Sequence, residues 1–134
     1  MKNYNLRLWD KKAKKMIKIE ELSRITLEKV FEKYKLIRST GFFDKNNSEI
    51  FEGDILKIQI ENTFCERKLL CRYGKFKKKI IGIDKKRHIA EMTGFCFVSD
   101  TFDTLLPTIQ NGISDTEKMI ILGNMYENPE LMVW

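Results

Sequence analysis

The stretch DILKIQIE, residues 54 to 61, places Leu56, Ile58 and Ile60 on one side and Lys57, Gln59 and Glu61 on the other. A period of two marks a half-buried strand, because successive side chains leave a pleated chain on opposite faces. The residues just before it are rich in turn formers. In STGFFDKNNSEIFEG, residues 39 to 53, Gly41 admits a backbone conformation other residues avoid. Asp44, Asn46 and Asn47 predict a turn in which short polar side chains bond their own backbone. Glu52, Gly53 and Asp54 predict a second turn that feeds the strand. These carboxylates are therefore read as turn formers, and no catalytic residue is assigned among them.

Moving outward, four more segments read as strands: RKLLCRY, FKKKIIGI, IAEMTGFCFV and EKMIILGNMY, punctuated by Gly74, Gly82, Gly94 and Gly123. Near the amino terminus NLRLWD and MIKIE alternate across a lysine-rich turn, the pattern of a hairpin. Residues 23–35, SRITLEKVFEKYK, break the alternation. Leu27, Val30, Phe31 and Tyr34 fall on one helical stripe, with Ser23 placed to cap it. At the end, Asn128 and Pro129 predict one helical turn. The chain thus reads as mainly β, an α+β arrangement with one or two short helices, built on a small antiparallel barrel or sandwich with an N-terminal hairpin. One domain, 1–134, is expected, with a hairpin–helix subdomain at 1–38 and the barrel at 39–134.

Composition narrows the classes. With 43% apolar and 33% charged residues among 134, the chain has the composition of a folded soluble domain. No apolar run approaches the roughly 20 residues that span a bilayer, and MKNYNLRLWDKK lacks the apolar core of a secretory signal. A cytoplasmic protein without a membrane partner is expected. Cys65, Cys71 and Cys96 form no CxxC pair, and His88 is the only histidine, so no structural zinc site is expected and buried free thiols are. Charge is segregated. Residues 65 to 90 carry ten Lys/Arg against Glu66 and Asp84, a net +8, whereas residues 100 to 134 hold six acids against Lys118, a net −5. Such a chain can meet a polyanion, or a second copy of itself.

Each candidate chemistry has a plain counterweight. Asp44, Asn46 and Ser48 imitate the first ligands of a calcium loop, but Glu49 stands where glycine is needed and Ile55 where the bidentate glutamate is needed. Asp54 followed by Glu66 and Lys68 imitates a Mg²⁺-dependent nuclease. His88 has no partner serine or cysteine in a recognisable motif, and no phosphate-cradling glycine loop is present. No cofactor is called for. The strongest pattern is CRYGKFKKKIIGIDKKRH, in which Arg72, Lys75, Lys77, Lys78, Lys79, Lys85, Lys86 and Arg87 interleave with Tyr73 and Phe76. Cations alternating with aromatics suit a nucleic-acid groove; lysines also guard exposed strand edges.

Three stretches together resemble the YopX family of small proteins encoded by phages and prophages. LRLWDKKAKKM is similar to its opening pattern, the residue 39–58 stretch to its central signature, and ILGNMYENPELM to its closing one. Asn47 stands where the family has glycine, and residues 62 to 116 match poorly. The resemblance implies a β-rich domain with a small SH3-like barrel, acting in the host cytoplasm. It carries no activity, cofactor or catalytic residue with it. The expectation is a non-enzymatic binding or adaptor module that self-associates or meets a host or phage protein. A nucleic-acid-binding protein using residues 65 to 90 is the alternative, and a nuclease a distant third.

Overall fold

The computed structural model describes residues 6–18, 27–59, 66–100 and 104–132, which form antiparallel sheets joined by short turns. β1 (Leu6–Asp10) and β2 (Lys15–Lys18) make the amino-terminal hairpin, with Leu8 opposite Ile17. Asp10 closes its turn, accepting from the amides of Lys12 at 3.1 Å and Ala13 at 3.0 Å. Those bonds, the Ala13 amide foremost, hold its carboxyl below the usual range.

The helix ends earlier than the 23–35 pattern predicts, while residues 23–26 lie outside the described residues. α1 spans Leu27–Lys33, and Tyr34 already begins β3 (Tyr34–Phe43). The cause is pairing: Tyr34 lies opposite Asp10 and Lys35 opposite Trp9, so the ladder with β1 claims residues that helical periodicity would assign to the helix. Val30 and Tyr34 still bury with Leu8 in a small cluster. Ser23, Ile60 and Cys65 lie outside the described residues. β3 runs unbroken through residues 38 and 39, pairing β1 at its start and β4 (Glu49–Phe51) at its end. The sheet order is β2-β1-β3-β4.

A second sheet runs β11-β5-β6-β7-β8. Its strands are β5 (Asp54–Gln59), β6 (Glu66–Ile81), β7 (Arg87–Ser99), β8 (Thr104–Leu105) and β11 (Met119–Asn124). Between the last two lie a small hairpin, β9 (Ile109–Gln110) with β10 (Ile113–Ser114), and a 3-10 turn at Asp115–Lys118. A closing 3-10 turn, Pro129–Met132, occupies the position that Asn128 and Pro129 predict. The sheet curls into a half-barrel, mainly β as the alternation implies. Its concave side buries Ile50, Leu56, Leu69, Cys71, Phe97 and Met119, with Ile58 and Phe95 packed against them. Cys71 and Cys96 are buried and free, and burial pushes both thiols up, away from the reactive thiolate.

Gly74 and Gly94 do not punctuate. RKLLCRY and FKKKIIGI form one strand of 16 residues, and Gly74 sits directly opposite Gly94 in an unbroken ladder. A glycine lowers strand propensity by its entropy, but the paired rows on either side carry the ladder through it.

Candidate functional site

The two turns of residues 39 to 54 are built by side chains that bond backbone. Asp44 is buried; its Oδ1 accepts from the amides of Asn46 (2.9 Å) and Ser48 (2.8 Å), and Oδ2 accepts from Ile121 (3.1 Å). Asn47 takes the left-handed φ of 61°. In the second turn Glu52 exchanges with β3: its Oε1 accepts from the Arg38 amide at 3.0 Å, and its own amide donates to the Arg38 carbonyl. Gly53, at φ 87°, donates to the Cys71 carbonyl at 2.7 Å and accepts from the Met125 amide at 2.8 Å. Gly41, at φ 78°, turns the chain within β3. The oxygens that resemble calcium ligands in Asp44 are thus occupied by three amides.

Asp54 goes beyond turn formation. It is 3% exposed and its Oδ2 accepts from the Phe51 amide at 2.8 Å. Burial pushes its carboxyl up to about 7, with the Phe51 amide and the Arg7 guanidinium pulling the other way. Asp54 and Arg7 lie on a polar cleft of about 290 Å³ shared with Asp44 and Asn124. Sequence gave little sign of this burial, since an acid after glycine normally marks an exposed turn.

The nuclease pattern does not assemble. In the β5–β6 register Glu66 lies opposite Gln59, at the far end of β5 from Asp54. Five residues of strand separate them by about 16 Å. Glu66 instead sits 3.7 Å from Lys57, and Lys68 Nζ donates to the Leu131 carbonyl.

The basic run forms a two-stranded ribbon. From Gly74 opposite Gly94 to Ile81 opposite Arg87, β6 and β7 pair beyond the core cluster, extending about 25 Å. Directly opposite residues share a face, so the ribbon has two different sides. The side continuous with the core carries Tyr73, Lys75, Lys77, Lys79 and Ile81 on β6, facing Phe95, Thr93, Glu91, Ile89 and Arg87 on β7. The other side carries Arg72, Gly74, Phe76, Lys78 and Ile80. Lys78 is thereby separated from its sequence neighbours, and its Nζ donates to the Thr104 carbonyl at 3.2 Å. That second side borders a cleft of about 200 Å³ between the ribbon root and Thr104.

At the tip, Asp84 orders the turn that presents Lys85 and Lys86. Its carboxylate accepts from the Lys86 amide at 3.0 Å and lies 2.9 Å from His88 Nε2, and these bonds lower its pKa. His88 is therefore a turn brace at an exposed tip. Ile81, Ile83 and Ile89 are exposed around it.

At the root, the Arg38 guanidinium lies 4.1 Å from the centre of the Tyr73 ring, and Tyr73 meets Phe95 edge-on at 4.9 Å. Arg38 and Phe95 were not singled out in the sequence. Counting outward from the 82–86 turn would have paired Phe95 with Tyr73; nothing local would have found Arg38, which arrives from β3.

A family model described as YopX protein matches residues 23–133. The chain belongs to the YopX family. No curated protein matches it. The match takes in both turns, the whole ribbon and the closing NMYENPELM, while LRLWDKKAKKM precedes it. The structure explains why two stretches that resemble YopX signatures, far apart in sequence, occur together: they form one joint. The Lys45 amide donates to the Met119 carbonyl at 2.8 Å, Asp44 receives the Ile121 amide, and Gly53 receives the Met125 amide. Asn124 holds the closing loop, its Oδ1 accepting from the amides of Tyr126 (3.1 Å) and Glu127 (2.8 Å). In this YopX chain the motif residues are architecture, and the ribbon stands apart from them.

Proposed function

We propose that this chain is a non-catalytic binding module of a phage or prophage, active inside the host cell, whose contact element is the β6–β7 ribbon and whose partner is nucleic acid. The observation that carries the reading is the ribbon itself. Lys75, Lys77 and Lys79 are exposed along one side of an arm that buries no core, and Arg87, Lys85 and Lys86 surround its tip. Lys75, Lys77, Lys79 and Arg87 enter no ion pair with a described residue. A row of exposed cations, with Glu91 opposite Lys77 as the one acid on that side, releases counterions when it meets phosphates, and that release drives association.

The test is a fluorescence anisotropy titration with mixed-sequence oligonucleotides across a salt series. Affinity tighter than about 10⁻⁴ M at moderate salt, with a negative slope in log[salt], is expected. Lys75→Gln, Lys77→Gln and Lys79→Gln together should flatten that slope. No binding above that floor would refute the reading.

Self-association is a second reading, supported by the exposed Ile81, Ile83 and Ile89 and by the opposed charge of residues 65–90 and 100–134. Light scattering that returned a monomer mass at every concentration would remove it.

A further inference from the structure

Resting on that reading, we infer that the ribbon is built for a single strand, laid along its core-continuous side with a base stacked at Tyr73. The two edges of that side differ. The β6 edge is a rail of three lysines at alternate positions, about 6.6 Å apart along the strand. The β7 edge offers Thr93, Glu91 and Ile89 along the arm, and its one cation, Arg87, stands at the tip. A ribbon seated in a duplex groove meets phosphates on both walls and needs cations on both edges. Here one rail matches one sugar–phosphate chain, and the opposite edge repels a second through Glu91.

The rail also ends on an aromatic surface. Tyr73 precedes Lys75 on the same side, is 41% exposed, and is held by Arg38 over its ring and by Phe95 in a T-shaped contact. A guanidinium over a ring and a braced ring make a rigid platform for a base face, which only an unpaired strand exposes. Further along, Ile89 lies opposite Lys79 and Ile81 opposite Arg87, giving apolar surface between the charges for further bases. Lys78 points to the other side and is engaged by Thr104, so it takes no part.

The experiment compares a labelled oligothymidylate of about 15 nucleotides with a duplex of equal length, by anisotropy on the full chain. The single strand should bind at least about tenfold tighter, with a salt slope near −3 for four neutralised phosphates. Tyr73→Ala should lose roughly fivefold to a hundredfold, the range for removing one stacking partner. Tyr73→Phe should retain the affinity, Lys78→Gln should leave it unchanged, and Glu91→Gln should tighten it. A thermal melt of each variant separates lost binding from lost fold. Duplex binding that equals or exceeds single-strand binding, with the lysine row still required, would overturn the inference and leave the proposed function standing. Loss on Lys78→Gln as large as on Lys77→Gln would also overturn it, by assigning the wrong side. Absence of binding to either probe would remove both.

Discussion

Gly53→Ala and Gly41→Ala form a matched pair that tests the joint between the turn and the closing loop. Both glycines have left-handed φ, 87° and 78°, so an L side chain costs each about 1–2 kcal/mol of backbone strain. The loss of unfolded-state freedom on replacing glycine is common to both and cancels in the difference. Their surroundings differ. A Cβ at Gly41 would meet nothing within 4 Å, whereas at Gly53 it would stand 2.7 Å from Tyr126 Cε2 and 3.3 Å from Met125 Cγ. The Tyr126 ring has little freedom to withdraw, since it meets Trp9 at 5.5 Å between centroids and Lys35 at 5.1 Å. Forcing a methyl into that contact costs about 1–3 kcal/mol more. Gly53→Ala should therefore lose about 2–5 kcal/mol and Gly41→Ala about 1–2 kcal/mol. Urea unfolding followed by tryptophan fluorescence reads both, provided the m values agree. Equal losses would show that Tyr126 does not press on Gly53, and the account of the joint would fail.

Asp54 gives a pH signature. Its folded pKa of about 7 lies above the ordinary 3.8, so the folded state holds the proton more tightly and stability falls as pH rises between those values. The fall amounts to as much as about 4 kcal/mol and is complete above pH about 7. Asp54→Asn should flatten this dependence and raise the urea midpoint at pH 8; a lower midpoint with an unchanged profile would contradict it. Asp44→Ala strands three amides and should cost about 3 kcal/mol, with faster hydrogen exchange at Ile121; a loss below about 1 kcal/mol would mean that water replaces the carboxylate. Asn124→Ala should loosen the 124–127 loop, seen as faster exchange at the Tyr126 and Glu127 amides.

The β character was legible because alternation is short-range: Leu8, Leu56 and Ile58 declared their faces within a few residues. Turn chemistry was equally local, and Asn47 and Gly53 take the backbone angles their types allow. What escaped the sequence depended on distant partners. Tyr34 belongs to β3 because β1 supplies a ladder. Gly74 stays in a strand because Gly94 and its neighbours pair across it. Asp54 is buried because the Phe51 turn and Arg7 of β1 enclose it. The basic run was visible as composition, but only the ladder showed that Lys78 leaves the row formed by Lys75, Lys77 and Lys79, and that Arg38 joins Tyr73.

The ribbon past Gly74 and Gly94 lends no side chain to the core cluster. Substitutions along it therefore cost little folding energy, whereas changes at the Asp44–Gly53–Asn124 joint are felt throughout. A frame held together by its own contacts leaves such an arm free to change in sequence without a cost to the fold.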